Sequence, residues 1–67
     1  MFIKTKELQF ALAERCMNPY DLCKAAGIQY QTYRRIMNTG KCKMATIGKI
    51  AKALDMSVKD LVDLEAM

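Results

Sequence analysis

Apolar residues along this chain recur at spacings of three and four rather than two, and β-branched residues are few, so the pattern predicts helices rather than strands. From Thr5 to Arg15, Leu8, Ala11 and Leu12 share one helical face and Phe10 falls off it. A second helix is predicted from Pro19 to Ala26. Asn18 is a good N-cap, Pro19 has no N–H to lose at the first helical position, and Asp21 stands where a capping box needs it. Leu22, Cys23 and Ala26 face inward, Gly27 supplies the left-handed residue that ends the helix, and Ile28 is a buried turn residue. A third helix runs from Gln29 to Met37, with Tyr33, Ile36 and Met37 on its apolar side and Tyr30, Gln31, Arg34 and Arg35 opposite. Residues 38–43 read as a loop. Met44, Ile47, Ile50, Ala51 and Leu54 give a fourth helix, and Asp55-Met56 breaks it. Ser57 and Asp60 predict a capping box for a fifth, whose inner face is Val58, Leu61 and Val62. The expectation is an all-α, compact five-helix fold in one domain, residues 1–67.

Length and composition narrow the function classes. A 67-residue chain lies near the lower limit for a self-sufficient core, and its 52% apolar content is too high for a disordered tail. No apolar run approaches the ~18–20 residues that span a bilayer. The charged start, Met1 to Lys6, is followed by no apolar signal region, so a cytoplasmic location and no membrane partner are expected. Cys16, Cys23 and Cys42 have no CxxC spacing and the chain has no His. They read as reduced, mostly buried small hydrophobes, with no metal site. With no His, no Gly-rich phosphate loop, no nucleophile elbow and no paired carboxylates on a basic face, enzyme chemistry, a cofactor and a small-molecule ligand are not expected. Met17, Met37, Met44 and Met56 read as core fillers. Phe10 either packs back on Phe2 and Ile3 or serves as an interface contact.

The net charge of +4 conceals an asymmetry. Cations and acids cancel through residue 23. Lys24, Arg34, Arg35, Lys41, Lys43, Lys49 and Lys52 then follow with no acid among them, and the acids resume at Asp55. An acid-free block centred on the third helix predicts a polyanionic partner. Lys24, Lys49 and Lys52 also suit an ordinary solvated face.

Two short helices joined by a Gly-containing turn, the second with a basic outer face, form a helix-turn-helix arrangement. The stretch from Asn18 to Asn38, the block Ile47-Gly48-Lys49-Ile50-Ala51-Lys52-Ala53-Leu54 and the segment Ser57-Val58-Lys59-Asp60-Leu61 together resemble the lambda-repressor/Cro-type helix-turn-helix domain, the XRE family. The resemblance covers residues 5–64. It implies a sequence-specific DNA-binding transcriptional regulator, a repressor by preference, whose third helix reads an operator's major groove. Gln29, Tyr30, Gln31, Arg34 and Arg35 take the base-reading positions. Asn18, Tyr20, Asn38, Thr39, Lys41 and Lys43 take the phosphate-binding positions. The implied partner is double-stranded DNA carrying a pseudo-palindromic operator, bound by a homodimer. Leu64 and Met67, or Phe10, are candidates for the contact between copies. The chemistry agrees independently, since a Gln amide pairs with adenine and an Arg with guanine in the major groove.

The sequence also departs from the family pattern. Pro19 replaces the Gln that usually begins the second helix and clamps phosphate to the recognition helix, leaving Tyr20 or Asn18 to substitute. Tyr33 is bulky for an aliphatic position. Leu12 and Met37 occupy the places of an Arg–Glu pair, so an apolar contact is expected there. The alternative reading is a protein-interaction module on the same scaffold, an antitoxin-like or antirepressor partner binder. An exposed apolar patch away from the third helix, and salt-insensitive binding, would favour it.

Overall fold

The computed structural model describes residues 1–64. Its helices are α1 (Thr5–Glu14), α2 (Pro19–Ala26), α3 (Tyr30–Thr39), α4 (Met44–Ala53) and α5 (Val58–Leu61). The fold is all-α, as the periodicity predicts. The helix stops are chemically explicit. Gly27 ends α2 at φ 70° and Gly40 ends α3 at φ 75°. At the ends of α1 and α4 the same left-handed turn is made by Cys16 (φ 54°) and Asp55 (φ 55°). These residues lack glycine's freedom, so neither left-handed turn has a glycine signature, although the break at Asp55-Met56 falls where the sequence places it.

The core forms where the inward stripes meet. Leu8, Leu22, Ile36, Ile47, Ile50, Leu54 and Leu61 are fully buried. Helix α4 packs on α2 and α5, α2 packs on α3, and α1 packs on α5. Leu12 lies in this core and Met37 packs against it, so both former ion-pair positions are apolar and inward. Replacing a buried ion pair by packed hydrocarbon costs little, because desolvation of the charges is avoided.

Several expectations are corrected. Asn38 and Thr39 belong to the last turn of α3, not to a loop, because Gly40 rather than Asn38 supplies the stop. Met44 is 71% exposed and leaves the core-filler set. Met17, Met37 and Met56 do pack against the core. Val58 is largely exposed. Ser57 Oγ accepts only from the Lys59 N–H, at 3.3 Å, so the expected box with Asp60 is replaced by a simple cap. Val62 lies beyond α5 in extended conformation and is buried. Cys16 is exposed, whereas Cys23 and Cys42 are buried. Ile28 is only half-buried in its turn. Phe10 stays 59% exposed instead of folding away. Met67 lies outside the described residues.

One element has no signature in the periodicity. Residues 1–4 run extended between the α3–α4 loop and the segment after α5. The Ile3 N–H donates to the Gly40 carbonyl (2.8 Å) and the Cys42 N–H to the Met1 carbonyl (2.7 Å). In the other direction the Lys4 N–H donates to Leu61 O (2.7 Å) and the Asp63 N–H to Phe2 O (2.9 Å). Isolated antiparallel bridges pair Phe2 with Lys41 and Ile3 with Val62. This strap ties the loop after α3 to the end of α5. A second tie is Arg15, whose Nε donates to Leu54 O at 2.7 Å and whose guanidinium also reaches Ala11 O at 3.1 Å. It satisfies carbonyls at the C-terminal ends of α1 and α4, where a cation is favoured.

Candidate nucleic-acid interface

The strongest local instruction in this region is the start of α2. Asn18 Oδ1 accepts from the Asp21 N–H at 2.8 Å, and Asp21 Oδ2 accepts from the Asn18 N–H at 3.1 Å, so the predicted capping box is formed. This has a consequence for phosphate binding. Pro19 has no N–H, Asp21 is capped, and the Leu22 N–H bonds Asn18 O. Only the Tyr20 amide is left to meet an anion, beside an acidic Asp21. The α2 N-terminus is therefore a weaker phosphate seat than a bare helix end. The free group on Asn18 is its side-chain NH₂.

Helices α3 and α4 start differently. Neither Gln29 nor Lys43 makes a side-chain cap. Their N-terminal dipole ends add positive potential to a face that already carries cations. Gln29, Gln31, Arg34 and Arg35 are all exposed on or just before α3. Tyr33 and Ile36, on the opposite side, are buried in the core and fix that orientation.

The middle of α3, the loop after it, the start of α4 and the strap residues Met1 and Phe2 surround an open depression of about 710 Å³. Arg35, Lys41 and Lys43 line it together with Thr32 and Thr46. The structure thus gathers one expected base reader and two expected phosphate ligands around a single concavity. Thr32 and Thr46 escaped sequence reasoning. Their hydroxyls sit one turn from Arg35 and in the first turn of α4, but a lone Thr on a helix carries no pattern. The Lys41 Nζ also lies over the Phe2 ring, 6.0 Å from its centroid, so the strap sets an aromatic face beneath this ammonium group. Cys42 lines the same depression, and burial raises its thiol pKa.

Thr39 is placed differently from the expectation. Its hydroxyl donates to Arg35 O at 2.8 Å and accepts from the Lys41 N–H at 3.2 Å. Its one proton is committed, so it braces the loop that carries Lys41 and offers no donor to phosphate. Asn38 is exposed in the last turn of α3.

Tyr30 does not stand free on the recognition face. Its ring stacks on Tyr20 with centroids 4.4 Å apart and planes 12° from parallel. It also lies 6.1 Å from Tyr33. The three rings form a ladder from buried Tyr33 through half-buried Tyr30 to exposed Tyr20. The Tyr20 hydroxyl is pushed above its ordinary pKa, chiefly by the neighbouring Tyr30 phenol, and Arg34 opposes the shift. The stack of Tyr20 on Tyr30 therefore joins the first turns of the two helices, and Arg34 lies one turn further along α3 from Tyr30. Tyr33 is buried in the core, and burial is the main cause that raises its pKa.

A five-helix domain whose α2-turn-α3 unit presents a basic, uncapped second helix is a helix-turn-helix DNA-binding domain. The chain belongs to the Cro/C1-type HTH DNA-binding domain family, whose model matches residues 7–66. No curated protein and no solved structure gives a significant match. Among the described residues, no helix is long and apolar enough to cross a membrane.

Proposed function

We propose that this protein is a transcriptional repressor that occupies an operator through α3. The observation carrying this reading is the coincidence of the acid-free block with α3, its uncapped N-terminus and the depression lined by Arg35, Lys41 and Lys43. Gln29, Gln31, Arg34 and Arg35 meet base edges from α3, and Tyr30 does so through its hydroxyl edge. Asn18, Tyr20, Asn38, Lys41 and Lys43 meet phosphates, and Thr39 acts by bracing Lys41. One domain reads about half a site, so two copies are expected on a pseudo-palindrome, with their α3 helices about 34 Å apart.

Selection from random duplex pools at several salt concentrations tests the reading. Enrichment of a palindromic motif, with affinity falling steeply as salt rises, is the expected result. A flat salt response with no enriched motif would refute it and favour a protein partner. Within the assay, Gln31→Ala and Arg35→Ala relax the motif, because each removes a donor aimed at a base edge.

A further inference from the structure

We propose that Tyr20 is a specificity-positioning residue: stacked on Tyr30, it fixes how Tyr30 is presented to the base pairs read from the N-terminal end of α3. The inference rests on the DNA-reading function of α3 proposed above. Three observations carry it. The stack bridges the first turns of α2 and α3, which are the two ends that meet DNA in a helix-turn-helix. Its inner end is anchored, because Tyr30 also lies beside Tyr33, which is held in the core. Its outer ring is 64% exposed, so Tyr20 adds little to the core and its ring contact is with Tyr30. A side chain at the first position of a recognition helix has several staggered rotamers, and only some aim its polar end into the groove. A near-parallel ring at 4.4 Å removes the competing rotamers before DNA arrives, so the ordering cost is not charged to binding. With its ring engaged, Tyr30 offers DNA only its edge and hydroxyl. Pro19 makes this device necessary, since a proline at the first position of α2 has no side-chain donor with which to steer α3.

The test compares Tyr20→Ala, which removes the ring, with Tyr20→Phe, which keeps the ring and removes the hydroxyl. The wild-type domain and both variants are titrated with the selected duplex and with duplexes substituted at each base pair. The quantity read is the ratio of preferred to substituted affinity. Tyr20→Ala is expected to lower that ratio about two- to tenfold at the base pairs read by Tyr30, the range an aromatic pair supports. The salt slope stays unchanged because no charge is removed. Tyr20→Phe keeps the ratio, whatever it does to affinity for all duplexes alike. The melting temperature of Tyr20→Ala falls by the several degrees that one aromatic pair is worth in a domain of this size, and Tyr20→Phe melts with wild type. A Tyr20→Ala ratio equal to wild type overturns the inference and leaves the DNA-reading function standing. An equal loss in Tyr20→Phe also overturns it, by assigning the effect to the hydroxyl. A wild-type domain that enriches no duplex removes both.

Discussion

Asn18 has one observed role, the cap, and one proposed role, on phosphate, and substitution can divide them. Its Oδ1 caps the Asp21 N–H at 2.8 Å, and its NH₂ is the group free for phosphate. Asn18→Ala deletes the cap. Asp21 keeps its own bond to the backbone N–H of residue 18, so half the box survives. Loss of an N-cap costs about 1 kcal/mol. For a domain of this size that lowers the melting temperature by roughly 4–8 °C. Asn18→Asp restores the acceptor and places a carboxylate at a helix N-terminus, where the dipole favours it, so it melts within about 2 °C of wild type or above. The two variants diverge on DNA. Asn18→Asp replaces a donor by an anion beside phosphate, so it binds the selected duplex more weakly at low salt, and the gap narrows as salt is added. Thermal unfolding by circular dichroism and duplex titration at two ionic strengths measure both jobs. If Asn18→Ala melts with wild type, or Asn18→Asp melts as low as Asn18→Ala, the capping argument is wrong. If Asn18→Asp binds DNA as wild type does, Asn18 is no phosphate ligand.

Other consequences follow from single features. Gly27→Ala forces a Cβ into a left-handed turn with nothing within 4 Å of it, so the cost is backbone strain of about 1–2 kcal/mol, read as a lower urea midpoint. Lys41→Gln and Lys43→Gln each weaken binding to all duplexes alike and lower the salt slope by about one, whereas Thr39→Val weakens binding by freeing the loop without changing that slope. Arg15→Ala leaves Leu54 O without its charged donor and lowers stability by about 1–2 kcal/mol in urea unfolding; Arg15→Lys recovers part of it. Burial raises the pKa of Cys23, Cys42 and Tyr33 above 9.0, 9.0 and 10.0, so the native state holds these protons more tightly than the unfolded chain. Stability from them is intact below pH 9 and falls as pH rises through their native values, so the urea midpoint drops above pH 9, and less so in a Cys23→Ala, Cys42→Ala double variant. Alkylation at pH 8 should label exposed Cys16 well before the two buried thiols.

Some of this protein was written locally, in short-range chemistry. The start and stop of α2 follow from Asn18, Pro19, Asp21 and Gly27, because a cap, a missing N–H and a left-handed residue act within a few positions of one another. The inward stripes of α1, α3 and α4 follow from a 3.6-residue period, and the basic block is visible as a run without acids. Where a competing stop lay nearby, local reading erred: Asn38 is a plausible terminator, but Gly40 takes the left-handed conformation at no cost and α3 runs on to it. Met44 fits the helical period of α4 yet stays exposed, because a helix's first turn projects past the elements that cover its middle.

The sequence by itself determined which segments are helical, which faces are apolar and where positive charge collects. Only the tertiary structure decided which distant groups meet. The strap of residues 1–4, the Arg15–Leu54 tie, the depression shared by Arg35, Lys41 and Lys43, and the stack of Tyr20 on Tyr30 join positions separated along the chain. The reason is physical: capping and periodicity act over a few residues, whereas a ring stack or a backbone bridge depends on how whole helices pack, which no local pattern encodes.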